Sequence, residues 1–541
     1  AWGLVVAADL GTSDRLEVEM LEGMAPGEPE ALRRMGFPVR LYAPVVPDGQ
    51  RESASAYLVR RLDENSGTDN YLRHSLAHDL TTPRQELRSS VGGTVSFESR
   101  RGPGPLGRGF SNAADTDWAL RANRVRMAHS LSSPVSVGAP RSADTGVVDR
   151  ALERAGSSGW WAISPGERAK ILERSAERLE GRRFDLISVM AHEAGKVVGE
   201  GDVEVSEAVD LARYYGVQAA GLSLREAVPS PVGTVVVVPP WNFPLAIPIG
   251  GVLAALAAGN SVILKPSRQS PRTAALGVEC LWGAGVPTDA LQVFVADEVA
   301  GRRLVSDPGV GAVVLTGSYS TARSFLEWRP GMRLLAETSG KNAIVVTQAA
   351  DLDQAVADVV QSAFGHAGQK CSAASLVILE REVVKDGRFL RRLADATRTL
   401  RVGPAADPES EVGPLIRPAR GNLLRALKKL DRGESWLVRP HKLGPQMWTP
   451  GIRTGVAAGS WFHQTECFGP VLGVMVAPDL DEALALQNGT PFGLTGGLES
   501  LDPDEIRRWL AGVEVGNAYV NRPLTGAVVR RQPFGGWKRS A

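Results

Sequence analysis

Three cysteines occur in the 541 residues, Cys280, Cys371 and Cys467. Cys371 lies in GHAGQKCSAAS (365–375), among glycines, alanines and serines. A thiol kept for packing normally sits in an apolar run. A nucleophilic thiol needs access and a stabilised thiolate, for which the preceding Lys370 or a helix dipole is a candidate source. In LLAETSGKNAIVV (334–346), Glu337 is the one acid, at the edge of an apolar segment. A carboxylate partly withdrawn from water has a raised pKa and can act as a base near neutrality. Paired at the surface with Lys341, it would do neither. Asn242 sits in PPWNFP (239–244), a stiff turn. Its amide is a neutral donor suited to an oxyanion, or the side chain of an ordinary Asx turn.

The elements that must position these residues are short, β-branched, nearly uncharged runs: TVVVV (234–238), SVILK (261–265), LQVFV (291–295), AVVLT (312–316) and AIVV (343–346). Parallel strands buried on both faces read this way. Helical segments between them, such as 270–282 and 320–328, predict a doubly wound α/β sheet. Ligands of such sheets bind at the carboxyl ends of the strands. Asn242 follows the first run. Lys265 and Ser267 follow the second, where an ammonium suits a ribose hydroxyl or a phosphate. Gly317 and Ser318 follow the fourth and open a helix whose free N–H groups suit phosphate. The GxGxxG fingerprint is absent, so this is an unusual dinucleotide site.

Composition narrows the remaining classes. Net charge is +1, which gives no bulk attraction to nucleic acid or an anionic membrane. The odd, scattered cysteines fit a reducing cytoplasm and show no metal spacing. Residues 1–10 lack a basic leader and do not read as a signal peptide. Residues 231–264 carry no charge, but prolines and glycines break them into a strand, a turn and a buried helix, so no membrane span is expected. His192 and Glu193 have no second histidine at helical spacing, so no metal is expected. Cys280 and Cys467 are assigned to packing or to a loop beside the dinucleotide site, with no chemistry.

Taken in order, PWNFP, KPS, LTGS, ETSGKN, GQKCSA and ECFGPV resemble the aldehyde dehydrogenase superfamily. The resemblance implies a Rossmann-like NAD-binding domain (126–338), an α/β catalytic domain (339–520) and a substrate-anchor loop with a short tail (521–541). It implies that Cys371 is the nucleophile, Asn242 the oxyanion donor and Glu337 the base that activates water. Lys265 and Glu466 match the ribose-binding pair, and Gly317 with Ser318 the turn near the pyrophosphate. Pro240, Trp241, Ser267 and Phe468 match further cofactor positions. NAD is the implied cofactor. Arg268, where many relatives carry an acid, would tolerate the 2′-phosphate of NADP.

AETSGKNA, GHAGQKCSA and TGAVVRRQPFGG resemble the L-glutamate γ-semialdehyde (1-pyrroline-5-carboxylate) dehydrogenases. There the residues matching Ser372, Gly526 and Ala527 hold the substrate carboxylate, chemistry that suits a hydroxyl and successive backbone N–H groups. VEMLEGM, FPVRLYAPV and YLVRRLDEN resemble the end of a proline dehydrogenase barrel, so residues 1–78 read as a partial (β/α)8 barrel and 79–125 as a connector. Tyr57, Arg60 and Arg61 match the proline site. The whole is similar to part of the bifunctional proline utilisation A family, whose intact members use FAD as well and form homo-oligomers. Two other readings stay open: a broad-specificity aldehyde dehydrogenase, and a truncated assembly module without activity.

Overall fold

The computed structural model describes residues 11, 16–21, 27–43, 110–222, 229–385 and 387–541. The chain divides into two units, 1–97 and 98–541. In the first, strands β1 (Val18–Leu21) and β2 (Val39–Tyr42) pair in parallel, with helix α1 (Glu28–Arg34) between them in sequence. Parallel strands need such a crossover, and strand–helix–strand is the repeating piece of a (β/α)8 barrel. Tyr57, Arg60 and Arg61 lie outside the described residues, as does the connector before Phe110.

The second unit carries two large sheets. Strands β3 (Thr234–Val238), β4 (Ser261–Leu264), β5 (Leu291–Val293), β6 (Val310–Thr316) and β7 (Leu334–Glu337) form a parallel sheet in the order β5-β4-β3-β6-β7. The central strands β3 and β4 are buried on both faces, which is why their runs lack charge. Val235, Val237, Val262 and Leu264 enter one core cluster. Helices α2 (Pro165–Gly181), α3 (Arg183–Ala194), α4 (Val198–Ala220), α5 (Ala246–Ala257) and α6 (Pro271–Ala284) complete that cluster. Val236, Val238 and Ile263 point to the other face, against Leu304 of α7 (Glu298–Ser306) and Phe325 of α8 (Tyr319–Trp328). Residues 231–264 are indeed a strand, a turn, the buried helix α5 and a second strand. Among the described residues no helix is long and apolar enough to cross a membrane.

The second sheet holds β8 (Asn342–Val346), β9 (Ala374–Glu380), β10 (Ser435–Val438), β11 (Gly451–Thr454), β12 (Val471–Ala477), β13 (Thr495–Glu499) and β14 (Asn517–Val520). Its order is β10-β11-β12-β9-β8-β13-β14, parallel except for the antiparallel β10–β11 pair. The AIVV run therefore does not extend the first sheet, as the alternation suggested. Leu334–Glu337 takes that place, and the chain crosses to the second sheet through residues 338–341. A buried strand's composition reports burial on two faces, and both sheets provide that. LQVFV also divides: Val295–Ala296 leaves β5 to pair with Ser142–Ala143.

Candidate active site

The cysteine loop is built from its backbone outward. Helix α9 (Leu352–Phe364) ends in a turn, Gly365–Gly368, where His366, Ala367 and Gly368 have φ of 52°, 53° and 66°. Successive left-handed residues are unfavourable for L-amino acids, and such strain persists only where the surroundings enforce it. Gly368 tolerates no side chain, since a Cβ there would run into the Gly469 carbonyl oxygen. The turn delivers Gln369, Lys370 and Cys371 to the start of β9.

Buried side chains then fix the loop. Asn342 Nδ2 donates to the carbonyls of Cys371 (2.7 Å) and Ala373 (2.9 Å), while its Oδ1 accepts from Thr495 N (3.1 Å). Thr495 Oγ1 donates to the Ser372 carbonyl at 3.2 Å. Gln369 Nε2 donates to the His366 carbonyl at 3.1 Å, and its Oε1 accepts from Ile416 N at 3.0 Å. None of these three residues stood out as functional in the sequence. Asn342 and Gln369 lie inside the quoted motifs, whereas Thr495 gives no local signal.

Helix α4 supplies the other clamp. Lys370 Nζ donates to Glu200 at 2.7 Å. One helical turn on, Glu204 pairs with Lys196, both fully buried. Glu204 Oε1 accepts from the first N–H groups of α5, Leu245 (2.8 Å) and Ala246 (3.0 Å). Lys196 Nζ also donates to the Asn242 carbonyl at 3.2 Å. The Asn242 amide, buried in the β3–α5 turn, donates one N–H to the Gln369 carbonyl at 2.9 Å. An amide nitrogen has two N–H groups, so the second remains for a ligand.

Electrostatics correct one expectation. Lys370 serves Glu200, whose carboxyl it helps hold down at about 2 against burial. The Cys371 thiol is instead pushed up to about 12 by burial and by the negative charges of Glu337 and Glu466. The resting thiol is therefore protonated and needs a base. Burial alone raises Glu337 to about 7. Lys341 offers it no ion pair, because its ammonium lies 3.9 Å over the Phe462 ring and is itself lowered to about 8, chiefly by burial.

These groups share one cavity of about 710 Å³ at the carboxyl ends of the first sheet. Cys371, Glu337 and Asn242 line it together with Pro240, Trp241, Lys265, Ser267, Gly317, Ser318, Glu466 and Phe468. Ser318 caps α8 by accepting from Thr321 N at 3.1 Å, and Gly317 N donates to the Glu337 carbonyl at 3.0 Å. Trp241 and Phe468 meet edge to face at 5.8 Å, with Phe468 itself left-handed at φ 54°. Burial, then Arg268, lowers the Lys265 ammonium. Burial raises Glu466, opposed by the Gly340 N–H at 2.9 Å. A capped helix N-terminus, an ammonium and a carboxylate lining one cavity fit the phosphates and ribose hydroxyls of a dinucleotide.

Ser372, Gly526 and Ala527 do not line this cavity. Ser372 is buried beneath Thr495. Gly526 has φ 82° and its carbonyl accepts from Arg522 at 3.0 Å. Cys280 is packed within α6, and Cys467 is a buried residue of the cavity wall. Glu193 caps the start of α6 through Arg272 N (2.7 Å) and Thr273 N (2.8 Å).

The sequence model of the aldehyde dehydrogenase family matches residues 132–541, and that of proline dehydrogenase matches 1–74. The solved structure of proline utilization A from Corynebacterium freiburgense is 48% identical, with a TM-score of 0.83 over 98% of this chain and 53% of that one. The 1-pyrroline-5-carboxylate dehydrogenase of Bacillus subtilis is 33% identical over 75% of this chain and 83% of its own. The Thermus 1-pyrroline-5-carboxylate dehydrogenase, solved with bound NAD, is 30% identical, with a TM-score of 0.72 over 81% of this chain and 95% of that one. The chain spans 44% of the length of the bifunctional curated relatives it matches.

Proposed function

The chain belongs to the aldehyde dehydrogenase family, and from that premise we propose that it oxidises L-glutamate γ-semialdehyde, the open form of 1-pyrroline-5-carboxylate, to L-glutamate with NAD. The observation that carries the proposal is that a single cavity gathers a cysteine, a half-buried carboxyl poised at about 7 and an amide donor together with Lys265, Glu466 and the capped N-terminus of α8. The relatives named for 1-pyrroline-5-carboxylate supply the substrate class, and the NAD-bound Thermus structure supports the cofactor.

Lys265 and Glu466 would hold ribose hydroxyls, and Gly317 with Ser318 the pyrophosphate, between Pro240, Trp241, Ser267 and Phe468. When bound, NAD supplies the acceptor for the hydride that leaves the substrate carbon. The rest is the work of the chain's own groups. Glu337 takes the proton of the Cys371 thiol, and the thiolate adds to the aldehyde carbon. Charge develops on the aldehyde oxygen, where the free N–H of Asn242 and the Cys371 backbone N–H donate. After oxidation a thioester joins Cys371 to the acyl group. Glu337, having passed the thiol's proton to solvent, then takes a proton from water as that water attacks the thioester, and returns it to the departing thiolate, releasing the acid and the thiol.

Ser372 and the N–H groups of Gly526 and Ala527 would hold the α-carboxylate as an anion nest. The match of residues 1–74 to proline dehydrogenase supports a role in proline catabolism, where flavin-dependent proline oxidation by an intact bifunctional protein would deliver the semialdehyde. Arg268 is exposed at the end of β4, so NADP is a weaker alternative rather than a forbidden one. The test is steady-state NADH production. Glutamate semialdehyde should be used far more efficiently than propionaldehyde. Equal efficiency would sink the nest and leave a broad aldehyde dehydrogenase; no turnover of either would leave an assembly module.

A further inference from the structure

Helix α4 carries a second set of buried acids that the reaction does not use. Glu200 faces the cysteine loop and Glu204 the start of α5, whereas Asp202 and Asp210 face residues 110–116. Asp202 accepts from Thr116 N (2.8 Å) and Thr116 Oγ1 (2.6 Å), and from Arg183 at 2.7 Å. Arg183 also donates to the Ala114 carbonyl at 3.0 Å. Asp210, fully buried, accepts from Ala113 N at 2.5 Å and from Asn112 Nδ2 at 2.8 Å. This part of the connector is thus seated on α4 by charge-assisted hydrogen bonds, which are stronger than neutral ones.

Asn112 has a second contact. The same Nδ2 donates to the carbonyl of Val529 at 3.1 Å. Beside it, the Arg530 guanidinium lies 5.4 Å over the ring of Phe110, which in turn meets Tyr214 of α4 edge-on at 6.4 Å. Both Asn112 and Phe110 are buried. Val529 and Arg530 belong to TGAVVRR (525–531), which contains Gly526 and Ala527. This segment forms no helix or strand, and it turns through positive φ at Gly526 (82°) and Arg530 (66°). No ladder holds it, so side-chain contacts from elsewhere set its course.

We propose that Asn112 is a positioning residue for the substrate-anchor loop: it ties Val529 to Asp210 and thereby fixes where the Gly526 and Ala527 N–H groups point. Carboxylate recognition then depends on a residue of the connector, far upstream in sequence. The inference rests on the reading of Gly526 and Ala527 as the carboxylate nest, and the experiment separates the two.

Asn112→Ala in the full chain should raise KM for glutamate semialdehyde by roughly 5–10-fold, the worth of one net hydrogen bond. Its kcat should change little, and its kcat/KM for propionaldehyde should stay within about 2-fold, because no bond to the cysteine loop is lost. Amide exchange in peptide 525–531 should quicken. A swap distinguishes positioning from mere seating. In the double variant Asn112→Asp with Asp210→Asn, the amide now on α4 donates back to the carboxylate on the connector. Its oxygen still accepts from Ala113 N, so thermal stability should return toward that of the parent. A carboxylate at position 112 has no N–H for the Val529 carbonyl, so KM should stay high and exchange fast. Restoration of both by the swap would overturn the proposal, as would unchanged loop exchange in Asn112→Ala. If the parent protein itself does not prefer the carboxylated aldehyde, the nest reading fails, while the exchange measurement still decides whether Asn112 positions the loop.

Discussion

The two walls of the cavity are made differently. The cysteine wall is fixed by buried side chains that each hold a specific carbonyl or charge: Asn342, Thr495, Gln369 and the Lys370–Glu200 pair. It also contains a run of left-handed backbone. The dinucleotide wall is fixed by strand ends and a capped helix, with Ser318 and Arg268 exposed. On the proposed mechanism one wall has to hold a strained loop in a single geometry, so that sulfur, amide and base stay aligned. The other, proposed for the dinucleotide, would have to admit and release a large ligand, and backbone N–H groups at strand ends can do that without a rigid side-chain network. Changes on the first wall should therefore act on chemistry and folding, and changes on the second on cofactor affinity.

The largest effect is expected for Cys371→Ala. Turnover should fall on the order of 10⁴-fold or more, since no covalent intermediate remains. NAD binding, followed by titration of protein fluorescence, should persist. Collapse of NAD affinity in this variant would show that the walls are not separable.

Glu337→Gln should cost about 10²–10⁴-fold in kcat. Because Glu337 serves both steps, the first-turnover release of NADH and the hydrolysis of acyl-Cys371, followed by mass spectrometry of quenched mixtures, should both slow. In the parent protein the rate should rise as pH passes upward through about 7, because only ionised Glu337 is a base; the variant should lose that rise. Stability should move the opposite way. The folded pKa lies above the unfolded value of about 4.3. Between the two, the unfolded chain gives up a proton that the folded chain keeps, so this group's contribution is lost as pH rises to about 7. The glutamine variant should thus gain thermal stability over the parent as pH rises from about 4.5 to 8, with the gain levelling above about 7. A flat difference would mean that Glu337 is not withdrawn from water.

The same contrast explains what was legible in the sequence. Cysteine, carboxyl and amide stood out because each is a chemical type out of place in its run, and the structure does gather all three. Four strands of the first sheet were readable from β-branched runs, while its edge strand, Leu334–Glu337, has no β-branched residue and was not. Sheet membership was not, as AIVV shows, because β3 and β8 are buried on both faces alike. Lys370 misled because adjacency in sequence says nothing about direction: the residue beside a nucleophile on a tight turn points away from it, here toward Glu200. The acids of α4 were silent for a related reason. Several acids on one helix look like a solvated face until partners from distant segments neutralise them.

Glycines test the contrast on the backbone itself. Gly368→Ala forces a Cβ into the Gly469 carbonyl oxygen and keeps φ at 66°. We expect a loss on the order of 3 kcal/mol in urea unfolding. On the other wall, a Cβ at Gly317 would meet only Leu315 Cδ1 at 3.5 Å, an ordinary contact. Gly317→Ala should leave stability within about 0.5 kcal/mol and show itself as weaker NAD binding. Equal destabilisation by the two would erase the distinction between a strained wall and an open one.

The smallest effect concerns Ser318, and it separates cap from charge. Its hydroxyl accepts from Thr321 N at 3.1 Å, so Ser318→Ala should cost about 1 kcal/mol of helix stability. It should raise KM for NAD a few-fold, because the first turn of α8 loosens where the pyrophosphate would rest. Ser318→Asp keeps the cap, since aspartate is an equally good acceptor, and should leave thermal stability unchanged. It also sets a negative charge at the helix end that would otherwise attract phosphate. KM for NAD should rise further in this variant, the increase should shrink with added salt, and kcat should stay put. If aspartate weakened NAD no more than alanine does, the N-terminus of α8 would not be where the phosphates bind, and the dinucleotide wall would have to be redrawn around Lys265 alone.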